Sequence, residues 1–163
     1  VPVDRTVART AGLRYGAPMD APRAPLAWIA EHPYAFPLLE VVHIVGIALL
    51  LGSLVLVELR VWGAGAALPL TPLARLALPV TLGGFALIAA SGLLMFAARP
   101  AELLASATFL VKMALVALAG LNAAAFHVRG GLVRADAVAR WQAATSLLLW
   151  LAVIAAGRWI AYA

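Results

Sequence analysis

FPLLEVVHIVGIALLLGSLVLVELRVW, residues 36–62, decides the fold. Its apolar residues run on without the alternation of a barrel strand, which excludes a transmembrane β-barrel. The run exceeds the roughly 20 residues that a helix needs to cross about 30 Å of hydrocarbon. Glu40, His43, Glu58 and Arg60 are the only residues in it with ionisable side chains.

Three similar runs follow, at about Leu76–Ala98, Phe109–Phe126 and Ala143–Tyr162. The breaks between them are short and rich in Gly, Pro or Arg, as turns are. Short connections force antiparallel neighbours. The expected fold is therefore all-α, an integral membrane bundle of four antiparallel transmembrane helices over residues 34–163. Composition agrees. Of 163 residues, 65% are hydrophobic and 12% charged, where soluble domains are about half apolar and a quarter charged. So much apolar surface needs the lipid bilayer as its partner.

Residues 1–33 differ. They carry Arg5, Arg9, Arg14 and Arg23, several prolines and no signal-peptide core. They are expected to form a disordered tail, with Met19 as a candidate true start.

The net charge of +5 does not point to nucleic acid, because the basic residues are spread between the apolar runs. Side A denotes the end where the first span starts, and side B the end where it finishes. Arg60, Arg75, Arg129, Arg134 and Arg140 fall on side B. Arg99, Lys112 and Arg158 fall on side A with the tail arginines, of which a start at Met19 leaves only Arg23. With that start the positive-inside rule places loops 63–75 and 127–142 in the cytoplasm and both termini outside. Trp28, Tyr34, Trp159 and Tyr162 near side A, with Trp62 and Trp141 near side B, suit the two interfaces. Phe85 and Trp150 lie mid-span and are expected to pack. Ala48/Gly52, Ala86/Ala90 and Ala119/Ala123 are candidate small-residue helix contacts, with Gly83, Gly84, Ser91, Gly92 and Gly120 as further small surface.

There is no cysteine, so disulfides, thiolate metal sites, iron–sulfur clusters and covalent haem attachment are excluded. No phosphate-binding glycine loop, H-E-x-x-H or G-x-S-x-G occurs, and nothing else marks an enzyme. Chemistry must then rest on polar residues inside the spans, where each is costly and usually faces the bundle interior. At about 1.5 Å per residue, Glu40, His43, Lys112 and Arg158 share a depth on side A. They are read as a proton-linked or anion-binding pocket, or as a haem b or copper site with His43 the ligand and Glu40 orienting it. The structural alternative has Lys112 and Arg158 snorkelling, Glu40 paired with one of them, and His43 bonded across helices. On side B, Glu58 and Asn122 share a depth with Thr81, Thr145 and Ser146, and Arg60 and His127 sit at the boundary. These serve equally well as hydrogen-bond links between helices, with Glu58 paired to an arginine. The first and third spans run in the same direction, so His43 and His127 lie at opposite membrane faces and cannot share one haem.

The first span resembles that of an uncharacterised family of small bacterial four-helix membrane proteins, a domain of unknown function. The resemblance rests on Phe36-Pro37, His43, Gly46, Gly52 and Glu58-Leu59-Arg60, with Glu58 where Asp is usual. Gly84, Gly92, Pro100, Lys112, Asn122 and His127 extend it over residues 27–163. It implies a four-helix fold in a bacterial inner (plasma) membrane. A looser likeness to the membrane domain of copper-resistance D proteins implies copper handling on the external side.

Three functions follow as expectations. The leading one is a small accessory or structural subunit, packed in a larger membrane complex or a homo-oligomer. The second is a haem- or copper-linked redox or metal-handling protein using His43. The third is a small ion- or proton-linked transporter.

Overall fold

The computed structural model describes residues 26–162. Seven helices follow in order: α1 Ala27–Glu31, α2 Ala35–Val61, α3 Leu70–Ala98, α4 Pro100–Ala105, α5 Ala107–Val128, α6 Gly131–Arg134 and α7 Ala137–Trp159. A 3-10 turn, Ile160–Tyr162, follows α7. No strand occurs among the described residues. α2, α3, α5 and α7 contain 27, 29, 22 and 23 residues and are long and apolar enough to cross a membrane. The protein is an all-α, multi-pass membrane bundle of four spans.

Two span starts lie earlier than the apolar runs suggest. α3 begins at Leu70 and not near Leu76. The segment LPLTP reads as a loop, but Pro69 is the N-cap and Pro72 falls in the first turn, where a helix has no use for the missing N–H. α7 begins at Ala137 and not at Ala143 because Asp136 caps it, its side chain accepting from Ala139 N–H at 2.9 Å. The expected tail boundary at residue 33 also moves, since α1 is helical and buries Ile29 against α3. Residues 1–25, with Met19, lie outside the described residues.

α2 packs along α3, α5 packs along α7, and the two pairs meet where α2 touches α7. The α2–α3 seam has a heptad register. Buried Ala77, Gly84, Ser91 and Ala98 recur every seventh residue on α3, facing Gly46, Leu50, Ser53 and Val57 on α2. His43, Leu50 and Ser53 meet Ser91, Gly84 and Thr81 in reverse order, as an antiparallel pair must. The closest approach is at Gly46 and Gly84. A Cβ on Gly84 would stand 2.6 Å from Leu50 N and 2.8 Å from Gly46 O. Backbone touches backbone there, which is how small residues join membrane helices. The pair Ala48/Gly52 does not serve this purpose. Both residues are exposed, and Gly52 has open space beside it.

The best-packed apolar cluster lies at the side B end: Val57, Val61, Ala77, Ala139 and Ala143, with Leu70, Phe126 and Leu132 against it. Elsewhere large apolar residues such as Leu38, Ile44, Leu82, Leu93, Leu121 and Leu148 point outward, as lipid-facing residues do. Phe85 and Trp150 meet edge-to-face between α3 and α7, with ring centroids 6.4 Å apart. Trp28, Tyr34, Trp62, Trp141, Trp159 and Tyr162 are exposed at the span ends.

The turn from α5 to α7 is braced at side B. Arg129 donates to both Asp136 oxygens at 3.0 Å, and Gly130 takes the left-handed conformation (φ 68°) that the chain needs to leave α5. The Ala139 N–H bond, and then Arg129, hold the Asp136 carboxyl below its ordinary value of 3.8. A depressed folded value means that this stabilisation is present above the unfolded value and fades as pH falls through the folded one. Asp136→Ala should therefore lower the unfolding temperature at neutral pH, and the gap from wild type should shrink at acid pH below 3.8. Thermal scans of both proteins across that range check it.

Candidate functional site

Polar residues along the seam make one link near side A and one at mid-span. Near side A, His43 Nδ1 lies 2.9 Å from Ser91 Oγ. Ser91 is 1% exposed, and its hydroxyl proton goes to Leu87 O at 2.6 Å. A hydroxyl has one proton, so His43 Nδ1–H is the donor to Ser91, and Nε2 is left as the acceptor nitrogen. Near mid-span, the Ser53 and Thr81 hydroxyls lie 2.7 Å apart. Each also lies within reach of a carbonyl in its own helix, Ser53 of Leu49 O and Thr81 of Ala77 O, so one hydroxyl donates across the seam while the other accepts there and donates to its carbonyl. The Gly46–Gly84 contact lies between these two links.

Of the four residues expected to meet on side A, Lys112 lies near enough to His43 for its charge to act on the ring, whereas Glu40 and Arg158 stand apart. Glu40 is exposed and makes no ion pair among the described residues, and the orienting partner of His43 is Ser91. Lys112 crosses from α5 to α7, where a Cβ on Gly157 would stand 3.3 Å from its Nζ. Arg158 donates to the Tyr162 hydroxyl and stacks on that ring at 4.8 Å. Among the described residues, no three His, Asp or Glu side chains gather as a metal ion would need.

Side B is different. Glu58 is 4% exposed, yet it is not on the α2–α3 seam. One step beyond Val57, it turns towards α5 and α7 and lines a cavity of about 60 Å³. Asn122 and His127 reach this cavity from α5, Gln142 and Ser146 from α7, Leu78 from α3 and Leu132 from α6. The structure thus brings together four residues that the depth argument placed at one level or its boundary: Glu58, Asn122, Ser146 and His127. Thr81 belongs to the seam instead, and Thr145 points outward.

Glu58 Oε1 and Oε2 are buried and make no hydrogen bond. Among the described residues no arginine answers them. Arg60 donates to the main-chain oxygens of Leu68 and Ala66, and Arg129 is held by Asp136. Ser146 is the one hydroxyl on the cavity wall, and it stands beside the carboxyl without closing a hydrogen bond of ordinary geometry. The Asn122 amide nitrogen donates to Gln142 O at 2.9 Å. Gln142 Oε1 is a third buried oxygen without a partner. Sequence reasoning missed Gln142 because it placed residue 142 in a loop. The signal was Asp136, a helix cap followed directly by helix-forming residues.

The cavity reaches exposed His127, whose ring meets Phe126 edge-on. Its edge is closed by the turn: a Cβ on Gly131 would stand 2.6 Å from the Phe126 ring. An unpartnered buried carboxylate costs several kcal/mol. Such a group persists when a proton, a cation or water offsets that cost.

Comparison with family models, with curated proteins and with solved structures gives no match.

Proposed function

We propose that the chain is a small proton-linked ion-handling membrane protein, with the Glu58 carboxyl as its working group. The supporting observation is that carboxyl, buried where the helix pairs meet, without a charged partner among the described residues and beside a cavity at side B. Structural glue would be bonded, as Ser53, Thr81, Ser91 and Asn122 are. The hydroxyls of Ser53 and Thr81 and the imidazole of His43 continue the polar groups towards side A, and the Gly46–Gly84 contact closes the way in this conformation. With a start at Met19 the charge counts put side B in the cytoplasm of a bacterial inner membrane, and Glu58 draws its protons from there. The haem or copper reading has His43, and no group of three His, Asp or Glu side chains gathers among the described residues to support it.

Accessory subunit is the second reading. An apolar groove of about 420 Å³ on the outer face of α2 and α3, lined by Ala48, Leu49, Leu56 and Leu76 among others, supports it. A neighbouring helix would fill that groove.

Proteoliposomes separate the two. With a potassium–valinomycin potential and a trapped pH dye, the wild type is expected to admit protons well above empty liposomes. Glu58→Gln should fall to the lipid leak, and Glu58→Asp should retain part of the rate. Wild-type uptake equal to empty liposomes, or a fully active Glu58→Gln, overturns the proposal.

A further inference from the structure

We infer that the Glu58 cavity binds a single, partly hydrated alkali-metal cation, which exchanges with the Glu58 proton. This rests on the proton-linked reading and names its counter-ion.

The donor inventory carries the inference. The unpartnered buried atoms on the cavity wall are Glu58 Oε1, Glu58 Oε2 and Gln142 Oε1, and all three are acceptors. The other unpartnered buried atom, Arg129 Nε, lies off the wall. The Asn122 amide nitrogen is already directed to a main-chain carbonyl. Ser146 Oγ adds a neutral oxygen. The donors on the wall, Ser146 O–H, the Gln142 amide nitrogen and the His127 ring, close no hydrogen bond of ordinary geometry to these three oxygens, and oxygens gathered in this way are what a hard cation takes as ligands.

Charge sets the valence. Glu58 is the one carboxylate on the wall, and no lysine or arginine lines it. His127, exposed at the rim on α5, is the other titratable group there; α3, α6 and α7 bring none. One negative charge balances one positive charge, whereas calcium sites gather several carboxylates. A volume of about 60 Å³ exceeds what one water needs, so an ion can keep part of its hydration shell. The exchange balances: the Glu58 carboxylic acid and an alkali cation give the carboxylate–cation pair and a proton, which leaves past His127 to side B.

Weakly buffered, detergent-purified protein with a pH dye tests this. Sodium, potassium or lithium chloride should release about one proton per chain, saturably, as cation binding to a protonated ligand does. Choline chloride at equal ionic strength should release none, and neither should Glu58→Gln with any salt. Gln142→Ala should keep the release but need about tenfold more cation. Release by choline equal to that by sodium, or unchanged release from Glu58→Gln, overturns the inference. If no alkali salt releases protons while liposome uptake still depends on Glu58, the cation inference fails and the proton-linked reading stands. If uptake is also independent of Glu58, both fail.

Discussion

Gly84→Leu is expected to leave no folded, monodisperse protein in detergent, while Gly83→Ala one position away should unfold like the wild type. The two glycines face different surroundings. A Cβ at Gly84 would stand 2.6 Å from Leu50 N and 3.1 Å from Leu49 Cβ, whereas nothing lies within 4 Å of one at Gly83. The atoms in the way at Gly84 belong mostly to the α2 backbone, which cannot rotate aside. The helices must separate, and separation breaks the seam above and below, including the His43–Ser91 and Ser53–Thr81 links. Overpacking by a few atoms costs about 1–3 kcal/mol, which is the expected effect of Gly84→Ala; a leucine exceeds it. Gly83→Ala, on an open face, should stay within about 0.5 kcal/mol of wild type. Size-exclusion profiles and SDS titrations followed by tryptophan fluorescence report all three variants.

The spans were legible because a lipid-facing helix must be apolar over its whole length, whatever it packs against. Their starts were less so. Proline at residues 69 and 72 and the polar stretch after Asp136 look like loop, although prolines and caps belong at helix beginnings. The depth of each polar residue could be read from helical rise, and depth did bring Glu58, Asn122, Ser146 and His127 together. Rotation about the helix axis could not be read in the same way. In a soluble helix the apolar stripe marks the buried face, but in lipid both faces are apolar. Glu40 and Arg158 therefore share a depth with His43 and still point elsewhere. One rotational signal was present and went unread. Ala77, Gly84, Ser91 and Ala98 form a seven-residue repeat of small residues, which names the α3 face that meets α2 and, with it, Ser91 as the partner of His43.

Glu58→Met has the second large expected effect, and it separates stability from activity. Methionine has nearly the reach of glutamate and needs no hydrogen bond, and it adapts to irregular gaps. Replacing a buried charged group by a well-packed apolar one is often neutral or stabilising by about 1–4 kcal/mol. Among the described residues Glu58 has no charged partner whose isolation would offset that gain. The variant should thus unfold at or above the wild-type midpoint. A carboxyl that held the bundle together would behave oppositely, since removing one member of a buried pair costs about 3–5 kcal/mol. A residue that weakens its own fold is kept for what it does.

The most direct test of that role is potential-driven proton uptake into proteoliposomes containing Glu58→Met, whose fold is expected to be intact. The account predicts uptake no faster than the leak of empty liposomes. Uptake at the wild-type rate would contradict it, and the Glu58 cavity would then be a packing feature with no part in ion handling.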